Sequence, residues 1–208
     1  MRYSIGIKRI CDVILSGGSL FLLSPVLALI ALAIKCDDGG PVIFVQERVG
    51  QSGECFRCFK FRSMVAGARA RGLGGEVAAD DDRLTRVGRL LRIWTLDEIP
   101  QLLNVLRGEM SVVGPRPWIP RHGEQCPAWA KQRFEMKPGL AGWAWIHGRN
   151  LVPWEERLRL DVWYVKNWSL WLDASILVRA MVQLVRRHGV YGPEGITKDP
   201  QSDAERDR

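Results

Sequence analysis

The chain has 208 residues, and its 47% apolar content is enough for one domain with its own core plus an anchoring segment. The net charge of +7 favours an anionic partner, but the sequence contains no nucleic-acid-binding module, P-loop or dinucleotide fingerprint, so we expect no nucleic acid partner. Its five cysteines are an odd set, and the single C-x-x-C formed by Cys55 and Cys58 has no second pair at zinc-site spacing, which disfavours a disulfide framework or a zinc site.

The first element is an apolar segment suited to a membrane. From Val13 to Ile34 the chain carries no charged residue, and about twenty mostly apolar residues are what a helix needs to cross the hydrocarbon. The segment is longer than the apolar region of a usual signal peptide, and no clear cleavage site follows it. We therefore expect it to be retained.

A break is predicted within this segment at Ser24 and Pro25, because proline removes a backbone donor and crowds the preceding turn. The bent helix could span the bilayer with a kink, or it could turn back so that both ends lie on one face. Positive charge stands on both sides, with Lys8 and Arg9 before the segment and Lys35 after it. This balance favours a re-entrant helix-break-helix hairpin.

The following residues are predicted to form a small core with a short β-hairpin. Residues 41–45 are β-branched and aromatic, residues 50–53 form a turn, and residues 55–62 alternate apolar with polar side chains. Residues 83–93 and 96–107 carry apolar side chains at helical spacing, the first beside a stripe of arginines. The fold class is therefore α+β and mainly helical.

The last third of the chain is predicted to contain interfacial amphipathic helices and a tail. Residues 154–187 read as a long, largely helical stretch in which tryptophans stand beside basic residues, a composition typical of a membrane surface. Residues 193–208 are polar and predicted to be disordered.

The acidic pair Asp97 and Glu98 stands at the predicted start of a helix, with Pro100 in its first turn. Unpaired N–H groups at a helix start favour ionised side chains and bound phosphate. A carboxylate there can be a nucleophile or a Mg²⁺ ligand, although acidic residues in a first turn are also ordinary caps.

Several cations provide the context that favours chemistry over capping. Lys60, Arg62 and Arg92 precede the acidic pair, and Arg116 follows it within Gly-Pro-Arg-Pro. Arginine makes bidentate contacts with phosphate. Together with the membrane segment, these residues predict a diphosphate substrate held at the bilayer surface by cations and Mg²⁺.

Four motifs in this order resemble those of the bacterial sugar transferase family, the monotopic phosphoglycosyl transferases. They are Gln46-Glu-Arg-Val-Gly50, Lys60-Phe-Arg-Ser-Met64, the segment from Leu96-Asp-Glu-Ile-Pro100 to Ser111, and Val113-Gly-Pro-Arg-Pro117. The similarity runs from about residue 8 to residue 191, and the chain resembles the small members that consist of the catalytic core alone.

The resemblance implies a division of the chain into three parts. Residues 1–38 would be the re-entrant membrane helix, residues 39–192 a catalytic core with interfacial helices, and residues 193–208 the tail. The active site would face the cytoplasm at the bacterial inner membrane. A homo-oligomer is among the allowed states, and the sequence leaves the transferred sugar open.

The resemblance also implies a two-step reaction that uses a UDP-sugar donor and a polyprenyl phosphate acceptor. Asp97 would attack the sugar-bearing phosphorus and expel UMP, and the acceptor would then take the phosphosugar from the carboxylate. Glu98 would help to hold Mg²⁺ or assist the acceptor step. The phosphate contacts would be Lys60, Arg92, Arg116 and Arg149.

One motif departs from the family pattern. After Lys137-Pro-Gly the family commonly has Gln and Asn before Gly-Arg-Asn, whereas this chain has Trp145 and His147. The two residues either reshape the sugar or base pocket or are a packed aromatic and a surface histidine.

Two other classes of function are compatible with the residues. The chain could be a non-catalytic membrane adaptor that binds anionic lipid, in which the acidic pair only caps a helix. It could also be a metal-dependent phosphohydrolase, which would need no lipid acceptor. Release of UMP from a UDP-sugar separates the adaptor from the transferase.

Overall fold

The computed structural model describes residues 2–68, 77–78, 80–186 and 196–197, which are mainly helical with short strands. The helices are α1 (Arg2–Asp38), α2 (Arg86–Ile93), α3 (Leu102–Arg107), α4 (Pro120–Glu124), α5 (Trp143–Ile146), α6 (Trp154–Asn167) and α7 (Leu170–Arg186). The strands are β1 (Ile43–Val49), β2 (Cys55–Phe61), β3 (Val77–Ala78), β4 (Ser111–Val113), β5 (Gly139–Ala141) and β6 (Ile196–Thr197). Segments of 3₁₀ helix are Gln51–Gly53, Leu96–Gln101, Ala128–Glu135 and Arg149–Leu151.

Helix α1 is long and apolar enough to cross a membrane, by length and composition. The helix continues through Ser24 and Pro25. Pro25 has no N–H to donate to the carbonyl of Phe21, and the Ser24 hydroxyl donates to that oxygen instead, at 2.8 Å. The predicted break is thus a site where a side chain replaces a lost backbone hydrogen bond without ending the helix.

Both ends of α1 contact the core, whereas its middle does not. Near the start, Lys8 and Arg9 donate hydrogen bonds to backbone carbonyls of the core. Near the end, Ile30 and Ile34 are buried in a cluster with core side chains. Between them, Phe21 is 81% exposed. Helix α1 is therefore attached to the core at both ends and exposes apolar side chains between them.

The predicted β-hairpin is confirmed, with β1 antiparallel to β2 and Ile43 opposite Phe61. Strand alternation sends alternate side chains of β2 to opposite faces. Phe56 and Cys58 are buried in a cluster with residues of α3 and the chain that follows it. Lys60 shares their face, so the alternation directs it toward the helical segment that carries the acidic pair.

Strands β4 and β5 are parallel neighbours that hold the Gly-Pro-Arg-Pro segment in place. A Cβ added to Gly139 would lie 2.0 Å from the backbone nitrogen of Gly114, so only glycine fits at this approach. A larger cluster around Tyr164 and Ile176 packs α5, α6 and α7 against β4. The backbone leading to Arg116 is therefore fixed from both sides.

Three predictions about the elements need adjustment. The helix predicted at residues 96–107 begins as 3₁₀ helix before it becomes α3. The stretch predicted at 154–187 forms two helices separated at Trp168 and Ser169, because the Ser169 hydroxyl accepts the backbone N–H of Leu172 and so starts α7. In the tail predicted to be disordered, residues 196–197 form β6 beside β3, and the rest lies outside the described residues.

Candidate active site

The acidic pair lies in a tight 3₁₀ segment, Leu96–Gln101, immediately after Thr95. Thr95 has a φ of 58° and a ψ of 21°, a left-handed conformation that turns the chain sharply after α2. Asp97 and Glu98 are both buried. They point to different surroundings, since neighbours on a 3₁₀ helix diverge by about 120°.

Glu98 is held by two cations from different parts of the chain. The Lys60 ammonium lies 2.7 Å from Glu98 Oε1, and Arg116 donates from Nη2 to Oε1 at 2.6 Å and from Nη1 to Oε2 at 3.3 Å. Burial alone would raise the pKa of Glu98, but Arg116 and Lys60 together hold it well below its ordinary value. Glu98 is therefore ionised and fixed in one orientation at neutral pH.

Asp97 has the opposite environment. Among the described residues, no hydrogen bond or ion pair reaches its carboxylate. Burial raises the pKa of Asp97, and the nearby charge of Glu98 adds to this, against the influence of Lys60, Arg92 and Arg116. A carboxylate with no partner and a raised pKa is more basic than usual and is free to bond to a substrate atom.

Arg116 is placed for contact with a ligand as well as with Glu98. Half of its side chain is exposed although it grips a buried carboxylate. Its backbone is fixed from behind, because the buried Arg133 donates to the Arg116 carbonyl at 2.7 Å and is ion-paired with Asp161 at 2.7 Å. The Arg116 guanidinium thus extends from a fixed backbone, carries a positive charge and is open to solvent on one side.

Two further predicted phosphate contacts lie near the acidic pair without binding it. Arg149 is close enough to influence both carboxylates electrostatically, and it donates to the Thr95 hydroxyl at 3.1 Å. Burial, with the charge of Arg116, lowers the pKa of Arg149 to about 10, so it stays charged at neutral pH. Arg92 lies near Asp97 and donates to the Ser63 hydroxyl at 3.0 Å.

Arg62 is placed differently from the other predicted phosphate contacts. Its buried guanidinium is ion-paired with Asp38 at the end of α1, and the space beside it is closed by Gly40, where an added Cβ would overlap the guanidinium. The structure therefore joins Arg62 to the end of α1 and not to the cluster around Glu98.

A small cleft opens beside Glu98, and two of the residues that line it, Arg48 and Gln101, were not among the site residues predicted from the sequence. Its walls are Arg48, Cys58, Lys60, Glu98, Gln101, Arg116 and Pro117. Arg48 and Gln101 both belong to motifs that resemble those of the family, and this membership could have identified them as site residues. Arg133 and Asp161 had no such signal, because they are 28 positions apart and meet only in the folded chain.

A family model for bacterial sugar transferases matches residues 3–187, which is most of the chain. The chain belongs to the bacterial sugar transferase family. All the residues of the acidic pair and the cation cluster lie within the matched part. The resemblance read from the four sequence motifs is thereby confirmed.

Several curated members of the family are similar along most of this sugar transferase. It is 40% identical to EpsL of Bacillus subtilis, an uncharacterized sugar transferase, over 93% of this chain and 94% of EpsL. It is 40% identical to a UDP-glucose:undecaprenyl-phosphate glucose-1-phosphate transferase of Caulobacter vibrioides, over 88% of this chain and 72% of that protein. It is 39% identical to the undecaprenyl-phosphate galactose phosphotransferase of Salmonella typhimurium, but it covers only 43% of that longer protein.

The donors at the site of this sugar transferase fit a Mg²⁺ ion that is shared with substrate. The described residues contain no group of three or more His, Cys, Asp or Glu side chains that could hold a metal by themselves. Mg²⁺ is commonly held by one or two carboxylates, with substrate phosphates and waters completing its octahedral shell. Asp97 offers an unpaired carboxylate for this purpose, whereas Glu98 would have to exchange a bond to Lys60 or Arg116.

The two residues that depart from the family motif have separate environments. Trp145 is buried, and the Arg149 guanidinium lies over its ring at 4.5 Å from the centroid. His147 is exposed, and its Nδ1 lies 2.8 Å from the carbonyl oxygen of Trp143. Trp145 therefore contacts a residue of the site, whereas His147 is a surface histidine bonded to its own helix.

Proposed function

We propose that this sugar transferase moves a sugar phosphate from a UDP-sugar to polyprenyl phosphate, normally undecaprenyl phosphate, and releases UMP. The observation that carries the proposal is the contrast within the acidic pair. Asp97 is buried without a bonded partner, while Glu98 next to it is clamped by Lys60 and Arg116. The name of the Caulobacter relative supports both a UDP-sugar donor and an undecaprenyl phosphate acceptor, and that of the Salmonella relative supports the acceptor.

In the first step, an Asp97 carboxylate oxygen attacks the sugar-bearing phosphorus of the donor. A bond forms between that oxygen and phosphorus, and the bond from phosphorus to the bridging oxygen breaks, so UMP leaves with the bridging oxygen. Arg116 and Lys60 supply positive charge where the diphosphate lies, because both are at the cleft beside the carboxylates. Mg²⁺, when bound, would neutralise phosphate charge and polarise the phosphoryl group.

In the second step, a phosphate oxygen of the lipid acceptor attacks the phosphorus of the acyl phosphate. The phosphorus is released from Asp97, whose carboxylate is restored, and a polyprenyl diphosphate sugar is formed. Splitting the transfer lets a soluble donor and a lipid acceptor use one site in turn. In both steps, the negative charge of Glu98 offsets part of the positive charge of Lys60 and Arg116, to which it stays bonded.

The same proposal places the enzyme at a membrane surface with a re-entrant α1. The exposed apolar middle of α1 would lie in the bilayer, while both docked ends stay on the side of the core. Helix α7 supports this placement, because it exposes large apolar side chains including Trp171, which is 83% exposed. We assign the core to the cytoplasmic face of the inner membrane, where nucleotide sugars are made available to it.

The test is the intact-protein mass after purified enzyme is mixed with a panel of UDP-sugars and Mg²⁺ in the absence of polyprenyl phosphate. We expect one donor to add the mass of its phosphosugar, with the adduct mapping to Asp97 and UMP released in equal amount. Addition of polyprenyl phosphate should remove the adduct. Asp97→Asn nearly preserves shape but cannot act as the anionic nucleophile, so it should abolish the adduct and the transfer.

The matched control is Asp80→Asn, which changes an exposed aspartate and should leave turnover unaltered. Transfer at a substantial rate by Asp97→Asn would remove Asp97 from the nucleophile role. Release of free sugar phosphate to water without need of the lipid would instead assign a phosphohydrolase. Failure of every UDP-sugar to release UMP would favour a lipid-binding adaptor.

A further inference from the structure

Two strained residues meet beside the acidic pair. In the described part of the chain, the non-glycine residues with positive φ are Ser52 at 57°, Thr95 at 58° and Arg149 at 53°. Thr95 and Arg149 are 54 positions apart, yet Arg149 Nη2 donates to Thr95 Oγ1 at 3.1 Å. A left-handed conformation is costly for a β-branched residue such as Thr95, so surrounding contacts must hold it.

The contact partners of Arg149 show what holds this pair. Its guanidinium lies over the Trp145 ring at 4.5 Å, a geometry in which the ring face attracts the cation. Trp145 is buried in the same cluster as Tyr164 and Ile176, which anchors the ring to α6 and α7. The chain reaches Arg149 through Gly148, whose φ of 130° a side chain would rarely adopt. The Trp145 ring is therefore fixed in place beneath the guanidinium of Arg149, whose backbone is strained.

The position of Thr95 gives this arrangement a consequence for catalysis. Thr95 stands directly before the 3₁₀ segment that carries Asp97 and Glu98, and its backbone carbonyl accepts the N–H of Glu98 at 3.3 Å. A rotation at Thr95 would swing both carboxylates relative to Lys60 and Arg116. Anything that fixes Thr95 thus fixes the direction of the nucleophile.

We propose that Trp145 and Thr95 are positioning residues that act through Arg149, forming a clamp that presets the turn carrying Asp97 and holds the Arg149 charge toward the donor phosphates. The clamp rests on the proposed function, because it orients the proposed nucleophile. Trp145 and Thr95 touch no reacting atom in this scheme. Their effect should therefore depend on the presence of the arginine between them.

The test is a double-mutant cycle between Trp145 and Arg149, read as kcat and KM for UMP release. Trp145→Leu keeps an apolar side chain but removes the ring face, and we expect kcat to fall about 10- to 100-fold with a smaller change in KM. Trp145→Phe keeps a ring face and should recover most of the rate. In an Arg149→Ala background, Trp145→Leu should have little further effect on kcat, because the platform then has no cation to hold.

Thr95 gives a second variant pair in case the Trp145 substitution does not fold. Thr95→Val removes the hydroxyl at nearly constant shape, and it should lower kcat and show the same coupling to Arg149. Thr95→Ser keeps the acceptor and should stay within about three-fold of wild type. The matched control is Trp143→Leu, since Trp143 stacks on Trp163 at 4.6 Å and its effect should add to that of Arg149→Ala.

The outcomes separate the clamp from the proposed function. Independent, additive losses for Trp145→Leu and Arg149→Ala, or full activity of Thr95→Val, would overturn the clamp while the wild-type enzyme still transfers sugar phosphate. An inactive wild-type enzyme would reject the function instead. The same cycle measured by Tm does not depend on turnover, and an absence of coupling there would also contradict the contact of Arg149 with Trp145.

Discussion

Asp97 and Glu98 are adjacent in the chain but are held in opposite electrostatic states. Burial raises the pKa of Asp97, whereas Arg116 and Lys60 overcome burial and lower that of Glu98. When the pKa values of two neighbouring carboxyl groups are shifted in opposite directions, the two groups can take different roles at one site. Asp97 should also be a burden on the fold, because the cost of burying its charge exceeds the favourable influence of the nearby cations.

Asp97→Asn should therefore raise the Tm of the enzyme measured in EDTA at neutral pH, although it removes activity. The folded pKa of Asp97 lies above its unfolded value of about 3.9, so its ionisation costs stability as pH rises from the unfolded pKa through the folded one. The gain should vanish at pH values below about 4, where the wild-type carboxyl is neutral in both states. Thermal unfolding at several pH values measures it.

The neighbouring substitution provides the control. Glu98→Gln should lower Tm at neutral pH by the equivalent of about 2 kcal/mol, since it weakens charge-assisted hydrogen bonds to Lys60 and Arg116. The folded pKa of Glu98 is depressed, so its contribution is present above the unfolded pKa and is lost as pH falls through the folded one. Equal losses of Tm in Asp97→Asn and Glu98→Gln would contradict the opposite pKa shifts of the two carboxyl groups.

At the scale of elements, α1 is the apolar helix through which we propose that the enzyme contacts the membrane. The Ser24 hydroxyl donates to the Phe21 carbonyl that Pro25 leaves without a backbone partner, and the helix continues through this point. Its beginning and its end are both tied to the core, through Lys8 and through the ion pair of Asp38 with Arg62. A helix crossing the bilayer would place one of these ends on the opposite side from the core.

We expect single cysteines at the two ends of α1 to be labelled from the cytoplasmic side only. Cys36 is an exposed native probe near the end of the helix, and Ser4→Cys supplies one near its start. The remaining cysteines would first be replaced by serine. A membrane-impermeant maleimide should label neither site in intact cells with the outer membrane opened, and both sites in inverted vesicles.

Leu22→Cys serves as the protected control, because Leu22 belongs to the exposed apolar middle of α1 that would be covered by lipid. Labelling of the Ser4→Cys protein in intact cells, with Cys36 still protected, would show that α1 crosses the membrane. In that case the contacts of Lys8 and Arg9 with the core could not form in the bilayer.

At the scale of the whole molecule, buried polar contacts join the long apolar helix α1 to the core of the protein. Lys8 donates to Asp173 at 2.6 Å and to the Val113 carbonyl at 2.9 Å, just before the segment that carries Arg116. Asp12 accepts hydrogen bonds from the Ser111 hydroxyl and the Val112 backbone. Helix α1 is therefore part of the framework that positions the site.

Lys8→Met should destabilise the protein by about 3–5 kcal/mol, because it leaves the buried Asp173 carboxylate without its cation. Thermal or denaturant unfolding in detergent measures the loss. Arg159→Met removes one partner of an exposed ion pair with Glu155 and should leave Tm nearly unchanged. Similar Tm values for the two variants would show that α1 is not an integral part of the folded core.

Much of this protein is determined by local sequence pattern. The absence of charge from Val13 to Ile34 identifies the long apolar helix, and the period of two in residues 55–62 identifies β2, because each pattern depends only on the neighbours of a residue. The acidic pair and Arg116 are recognisable because they lie in motifs that resemble those of the family, whose model matches residues 3–187.

Only the tertiary structure decided which partners each charged residue has. Lys60, Arg62, Arg116 and Arg149 are all cations near motifs, yet Arg62 pairs with Asp38 while Lys60 and Arg116 grip Glu98. Lys8 meets Asp173 across 165 positions of sequence, and Arg149 meets Thr95 across 54. Such pairs carry no local signal, because a charge is stabilised by whatever the fold brings within a few ångströms, and sequence distance does not measure that separation.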